Sequence, residues 1–331
     1  MHEVEVAVNT SLSSTGRMKV RVTKKNVVAD SIVELVLADP DGNDLPAWSP
    51  GAHIGLSLDE GLVRQYSLCG DVKDRSSYRV AVLREPESRG GSVFVHDKLG
   101  VGDLVDVMEP RNNFELLPAG ELLFVAGGIG LTPLIPMIAE AESRSVPWRL
   151  VYGGRSRGSM AYIDELESRY GTRVTAHPQD VAGILPLAAI LDDLGPDTLV
   201  YCCGPEGLLG AIEAECTRRD ISRALHIERF SPKEEDPALA GTNQTFEVEL
   251  KQAGVTLEVP ADKSILEVVE EAGIPVDSSC RDGTCATCET HVLEGKCDHR
   301  DSLLSEDERE SNTTMMICVS RALGNRIVLD L

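Results

Sequence analysis

Nine cysteines occur in the 331-residue chain, and three of them, Cys280, Cys285 and Cys288, stand within nine residues. The order Cys280-x4-Cys285-x2-Cys288, completed after 29 intervening residues by Cys318, is the spacing of a plant-type [2Fe–2S] ligand set. Three thiolates on one short loop can wrap one side of a cluster while backbone N–H groups point at its sulfurs. The fourth thiolate, arriving from a distant strand, closes the site. Gly283 allows the tight turn, and Ala286 is small enough for the loop to come close. A structural zinc ion is the alternative for four thiolates. Zinc sites, however, usually pair two short Cys-x2–4-Cys knuckles, whereas here one three-cysteine loop is joined by a lone fourth. Cys69, Cys202, Cys216 and Cys297 read as buried small residues or free thiols.

Two further groups could hold anionic or aromatic ligands. Arg64-Gln65-Tyr66-Ser67 ends one apolar stretch, and Arg89-Gly90-Gly91-Ser92 opens a short helix. Gly90, Gly91 and Ser92 at a helix N-terminus form a phosphate cradle, because the first N–H groups are unpaired there. The same three residues are also a common turn and cap. Arg64 can add a bidentate charge contact. Tyr66 offers an apolar face with a polar tip, and Ser67 a hydroxyl for a ring nitrogen.

Val125-Ala126-Gly127-Gly128-Ile129-Gly130-Leu131-Thr132-Pro133 follows an apolar run and leads into a helical pattern, as a pyrophosphate-binding loop does. Gly128 and Gly130 fit the usual dinucleotide fingerprint, but Pro133 stands where its third glycine belongs. No acid ends the second strand; Tyr152-Gly153-Gly154-Arg155 is found instead. A standard ribose contact is therefore not supported, and a plain strand-to-helix turn remains open. A second glycine turn, Cys203-Gly204-Pro205-Glu206-Gly207, follows another strand. Two such loops at strand C-termini define the crevice in which open α/β sheets bind ligands.

The elements that must carry these groups fall into three sets. Six short alternating segments between Met18 and Met108 predict a closed or nearly closed antiparallel barrel, interrupted by one helix at Ser92–Lys98. From Glu121 to Arg219 strands and helices alternate at βαβ spacing, which predicts a parallel sheet covered on both faces, with helices at 131–144, 162–170, 186–194 and 205–219. After a charged, proline-punctuated stretch come a hairpin around Ala253-Gly254, a helix at Ser264–Ala272, the cysteine loop and a last strand at Arg326–Asp330. The expected division is a barrel domain at 1–117, a nucleotide domain at 118–230, a linker at 231–243 and a ferredoxin-like domain at 244–331.

Composition narrows the partners. The chain carries 54 acidic and 32 basic side chains, a net charge of -22, and only 4% aromatic residues. Such a balance argues against phosphate backbones and anionic membranes, so neither nucleic acid nor membrane is an expected partner. Residues 231–331 alone hold 21 acids and 9 bases. Glu289, Glu294, Asp298 and Asp301 lie between the cysteine loop and Cys318, where they could steer docking or merely keep a small domain soluble. Residues 1–16 lack the basic start and apolar run of a secretory signal, so a cytoplasmic, reducing location is expected.

Arg64-x-Tyr66-Ser67, Gly127-Gly128-x-Gly130-x-Thr132-Pro133, Cys203-Gly204-Pro205 and the four cysteines, in this order, resemble the phthalate dioxygenase reductase family. These are class IA reductase components of Rieske non-haem iron oxygenase systems, including the vanillate O-demethylase reductase type. The likeness runs from about Lys19 to Leu331. It implies a ferredoxin-reductase-type β-barrel binding FMN, an α/β domain binding NADH, and a C-terminal plant-type ferredoxin (β-grasp) domain. Electrons would pass from NADH through flavin and cluster to an oxygenase partner, with the reductase acting as a monomer. Carried over, Arg64 and Ser92 hold the FMN phosphate, Tyr66 and Ser67 meet the isoalloxazine, and Thr132 and Cys203 lie near the nicotinamide. Phe230 packs near the flavin, unless it is simply a core aromatic ending a strand. Arg155 and Arg157 leave NADPH open as the donor. The short stretch from Gly70 to Ser92, whose only aromatic is Tyr78, favours FMN over FAD. A reductase of the same build serving a cytochrome P450, or a non-enzymatic iron–sulfur module, are the competing readings.

Overall fold

The computed structural model describes residues 17–58, 62–88, 90–232 and 243–331. Arg89 and most of the expected 231–243 linker lie outside the described residues. The chain divides into two compact units, Met1–Ile227 and Glu228–Leu331.

The first unit opens with a six-stranded sheet. Its strands are β1 (Arg17–Ala29), β2 (Ile32–Ala38), β3 (His53–Ser57), β4 (Val63–Ser67), β5 (Ser77–Leu83) and β6 (Leu104–Met108), with α1 (Gly91–Asp97) between the last two. The order is β4-β3-β6-β1-β2-β5, and the strand pairs run antiparallel. A bridge between Leu68 and Val80, with the Cys69 N–H donating to the Arg79 carbonyl at 2.9 Å, joins the two edges and closes the barrel. Alternate residues Val20 and Val22, Leu35 and Leu37, Ile54 and Leu56, Val80 and Val82, and Val105 and Val107 point inward and form its core. Strand β1 runs past Val22, where the apolar alternation stops, because β2 pairs with it as far as Ala29 through two register shifts. The irregularity places Lys25 against the end of α1, where its Nζ donates to the carbonyls of Val95, His96 and Leu99.

The same unit continues with β7 (Glu121–Gly127), a 3-10 turn (Gly128–Leu131), α2 (Leu134–Ser143), β8 (Trp148–Gly154), α3 (Ile163–Tyr170), β9 (Val174–Pro178), α4 (Gln179–Ala182), α5 (Leu187–Ile190), β10 (Thr198–Cys203), α6 (Glu206–Arg218) and β11 (Leu225–Glu228). The sheet order is β11-β10-β7-β8-β9, and β10, β7, β8 and β9 run parallel. Its two faces bury separate apolar layers, one with Phe124, Leu134 and Trp148 and the other with Leu123, Val200 and Leu209. Two helices differ from expectation. The one predicted from Leu131 starts at Leu134, because Pro133 occupies its N-cap. The one predicted over 186–194 is a single turn, bounded by Pro186 and by the Gly195-Pro196 break.

The second unit holds β12 (Phe246–Leu250), β13 (Val255–Val259), α7 (Ile265–Glu271), β14 (Glu289–Glu294), β15 (Cys297–Asp298), α8 (Glu306–Ser311), β16 (Thr314–Met316), β17 (Arg321–Ala322) and β18 (Arg326–Leu329). Its main sheet, in the order β13-β12-β18-β14-β16, is mixed: β12 and β18 are parallel, and the other pairs antiparallel. Helix α7 starts at a reciprocal cap. The Ser264 hydroxyl accepts from the Glu267 N–H, and the Glu267 carboxylate accepts from the Ser264 N–H, worth about 1 kcal/mol. Its residues Ile265, Leu266, Val268 and Val269 bury against the sheet. Among the described residues no helix is long and apolar enough to cross a membrane.

Candidate cofactor sites

The four cysteines come together as their spacing predicts. Cys280, Cys285 and Cys288 lie on the loop between α7 and β14. Cys318 lies two residues past β16. The antiparallel pairing of Glu289 with Met316 sets Cys288 beside the Ile317–Cys318 segment. The thiols touch in a chain: Cys285 meets Cys280, Cys280 meets Cys318, and Cys318 meets Cys288. Backbone N–H groups of Asp282 and Thr284 donate to the Cys280 sulfur at 3.5 and 3.4 Å, and the Cys280 N–H to the Cys285 sulfur at 3.5 Å. Contact with Cys285 and Cys318 holds the Cys280 thiol far below its usual range, and contact with Cys318 lowers Cys288. Pairwise thiol contacts with N–H donors aimed at sulfur fit the donor set of a two-iron cluster, in which each iron takes two thiolates.

The loop holds its shape through contacts that spacing alone does not reveal. Gly283 has φ +73°, and a Cβ there would lie 2.7 Å from Val319 Cγ2 and 3.1 Å from Asp301 Cα. Arg281 and Ala286 also adopt left-handed backbone. The Arg281 guanidinium donates to Glu270 on α7 at 2.6 Å, and Thr287 Oγ1 lies 3.1 Å from the Cys285 sulfur. Thr287 is a hydroxyl placed between two ligands, a signal that was readable beforehand. Asp301 is not part of an exposed acidic face. It is 2% exposed, and its Oδ1 accepts the N–H groups of Leu303 and Leu304. Asp298 pairs with Arg300, whereas Glu289 and Glu294 are both exposed, Glu294 lying 3.5 Å from Arg326.

The two glycine turns of the parallel sheet pack directly on each other. A Cβ on Gly130 would fall 2.2 Å from the Cys203 carbonyl oxygen, and one on Gly127 would fall 2.7 Å from Pro205 Cδ. A Cβ on Gly204 would fall 3.0 Å from Gly127 Cα and N. These glycines therefore serve loop-on-loop packing. Gly128 differs: it has φ +55°, with nothing within 4 Å of its would-be Cβ, so it is the glycine that faces open space. Thr132 and Cys203 are buried, and the Thr132 hydroxyl donates to the Ile129 carbonyl at 3.0 Å. Arg155 is exposed just past β8. Arg157 is held by Asp164 and Glu167 at 2.5 and 2.6 Å. Phe230, just past β11, is 43% exposed.

In the barrel, β4 carries Arg64, Tyr66 and Ser67 opposite Leu56, Ile54 and His53 of β3. Burial pushes the Tyr66 phenol up, opposed by Arg64. Gly90 has φ +94°, and a Cβ on Gly91 would fall 2.6 Å from Arg64 Cγ. The Arg64 side chain thus lies across the start of α1. The Ser92 hydroxyl is buried, donates to Ser88 Oγ at 3.0 Å and accepts the Glu85 N–H. Tyr78 is fully buried, with its hydroxyl donating to the Pro46 carbonyl at 2.7 Å, so it stacks on no ligand.

A closed antiparallel barrel, a parallel sheet with paired glycine turns and a three-thiol loop joined by a distant fourth thiol define the class of flavin- and pyridine-nucleotide-linked iron–sulfur reductases. Residues 248–323 match the family model described as a 2Fe-2S iron-sulfur cluster binding domain. The chain is 38% identical over 327 residues to the carnitine monooxygenase reductase subunit of Escherichia coli (strain K12), covering 97% of this chain and 100% of that one. It is 36% identical to a phthalate dioxygenase reductase whose structure is described as modular, for electron transfer from pyridine nucleotides to [2Fe–2S]. That match has a TM-score of 0.68 and covers 96% of this chain and 98% of the other. An intact type IV self-sufficient cytochrome P450 monooxygenase matches at 40% identity and TM-score 0.88, over 95% of this chain but only 41% of its own. The chain belongs to the phthalate dioxygenase reductase family, the oxidoreductases that act as reductase subunits of oxygenase systems.

Proposed function

We propose that this protein draws electrons from NADH and delivers them, through FMN and a [2Fe–2S] cluster, to a Rieske-type terminal oxygenase in the cytoplasm. The observation that carries the reading is the convergence of Cys280, Cys285, Cys288 and Cys318 from two separate segments of a domain matched as 2Fe–2S-binding. Bound flavin supplies the exchange between two-electron and one-electron chemistry. The chain's own residues bind and orient. Arg64 with Gly90, Gly91 and Ser92 holds the flavin phosphate, and Tyr66 and Ser67 meet the ring. Gly128, with its open backbone, faces the pyrophosphate, while Gly127, Gly130, Gly204 and Pro205 lock the two turns together. Thr132 and Cys203 lie near the nicotinamide. The domain limits that go with this reading are 1–117, 118–230, 231–243 and 244–331.

Two observations support the choice of cofactors. Tyr78 is committed to the barrel core, which leaves no aromatic between Gly70 and Ser92 for an adenine and supports FMN over FAD. Arg157 is committed to two carboxylates, so Arg155 alone is available for a ribose phosphate, which supports NADH over NADPH. The test is an absorption spectrum of the purified protein, with the extracted flavin identified by chromatography and iron and sulfide assayed. FMN with iron and sulfide is expected; FAD, or protein without iron, contradicts the assignment. A cytochrome P450 partner is the second reading, favoured by the 40% identity to the P450 fusion. Reconstitution with a Rieske oxygenase and with a P450, each assayed for NADH-driven turnover, separates the two.

A further inference from the structure

Hydride transfer between a nucleotide held by the parallel sheet and a flavin held by the barrel requires the two to be registered within a fraction of an ångström. One buried cluster joins them. Ile32, Cys69 and Ala81 of the barrel pack with Ala161 of the α/β layer, and with Ile129 and Tyr162 at its edge. Ile129 is the residue inside the Gly128–Gly130 turn, and Cys69 lies two residues beyond Ser67 on the flavin strand. The cluster thus links the two loops assigned to the two cofactors.

A polar clamp closes it. The Tyr162 hydroxyl donates to Glu34 Oε2 on β2 at 2.9 Å. Glu34 also faces the Arg79 guanidinium at 3.7 Å, and Arg79 lies over the Tyr162 ring with Cζ 5.4 Å from its centroid. Arg79 in turn fastens Cys69. Its Nε and Nη2 donate to the Cys69 carbonyl at 3.1 and 2.6 Å, while its own carbonyl accepts the Cys69 N–H. The path Tyr162–Glu34–Arg79–Cys69 therefore runs from the start of α3 to the end of the flavin strand. Tyr162 itself sits at φ +60°, a conformation that a bulky side chain adopts only when its surroundings impose it. Burial, then the neighbouring Cys69 and Glu34, push its phenol up, so it remains a donor at working pH. Asp30 adds a second tie, its N–H donating to the Gly158 carbonyl at 2.8 Å.

We infer that Tyr162, Glu34 and Arg79 form a positioning clamp that sets the register between the nucleotide layer and the flavin barrel, and so the rate at which NADH reduces the flavin. This rests on the cofactor placement proposed above. The test is anaerobic stopped-flow of the holoprotein with NADH, separating the limiting rate of flavin bleaching from the half-saturating NADH concentration. In Tyr162→Phe the limiting rate should fall by about tenfold while half-saturation stays near wild type, as expected when reacting atoms are misplaced at a distance. Glu34→Ala should behave alike. Glu34→Gln, which keeps an acceptor for the phenol, should recover most of the loss, and this pair decides the matter if Tyr162→Phe folds poorly. A merely structural role would lower flavin content and Tm without this split. Limiting rates equal to wild type in Tyr162→Phe, or Gln performing no better than Ala at position 34, overturn the inference. A wild-type flavin that NADH does not bleach at all defeats the proposed function as well, whereas equal bleaching defeats the clamp alone.

Discussion

Gly130 and Gly128 stand two residues apart in the same turn, yet their substitution should fail in opposite ways. In Gly130→Ala the new methyl would lie 2.2 Å from the Cys203 carbonyl oxygen, 2.4 Å from its carbon and 2.6 Å from the Gly204 nitrogen. All three are backbone atoms and cannot rotate away, so the two turns must part by more than about 1 Å to restore contact. Overpacking of that kind costs about 1–3 kcal/mol. For a unit of this size it should lower Tm by about 5 °C. In Gly128→Ala the methyl meets nothing within 4 Å, so only the left-handed φ of +55° is penalised, by about 1 kcal/mol. The methyl now projects into the space assigned to the pyrophosphate. Half-saturating NADH should rise by at least about tenfold, equivalent to about 1.4 kcal/mol. Thermal unfolding by circular dichroism and NADH titration of flavin bleaching, run on both variants, give the two readouts. Gly130→Ala melting like wild type would refute the packing argument. Gly128→Ala with wild-type half-saturation would refute the nucleotide's placement at this turn.

Other outcomes follow from the remaining sites. Cys285→Ser should abolish NADH-driven cytochrome c reduction while leaving ferricyanide reduction largely intact; loss of both would mean that the cluster is needed for folding or that the electron path is wrong. Gly283→Ala, forced against Val319 and Asp301 with φ +73°, should lower iron and sulfide per chain without altering flavin content. Burial pushes the thiols of Cys69, Cys216 and Cys297 up to about 11 from an ordinary 9.0. The folded chain therefore holds these protons more tightly than the unfolded one. Their contribution to stability is complete below pH 9 and is lost as pH rises towards 11. Denaturant midpoints across that window, with alkylation followed by mass spectrometry, check it: rapid native labelling of Cys69 at neutral pH would contradict it.

Much of the architecture was readable because it rests on local period and spacing. The barrel strands carry alternating apolar pairs, as at Val20 and Val22 or Leu35 and Leu37, and a period of two has one structural meaning when turn residues bound it. The cysteine spacing likewise fixes a loop and a distant fourth thiol. What stayed hidden depends on contacts between residues far apart in the chain. Gly127 and Gly130 looked like phosphate-binding glycines, and only the approach of the Cys203–Pro205 turn shows that packing requires them. Asp301 looked like a surface acid until its place beneath Gly283 was seen. Strand β14 fully buries only Thr290, so its pattern carries almost no strand signal. The Tyr162–Glu34–Arg79 clamp has no signature at all, since three ordinary residue types from three elements compose it.

The most direct test of the proposed electron path is rapid mixing of the holoprotein with NADH under anaerobic conditions, following flavin and iron–sulfur absorbance together and freezing samples for paramagnetic resonance. The expected result is flavin bleaching first, then cluster reduction, with protein stripped of FMN unable to reduce its cluster from NADH. Cluster reduction at an undiminished rate in the flavin-free protein would contradict it.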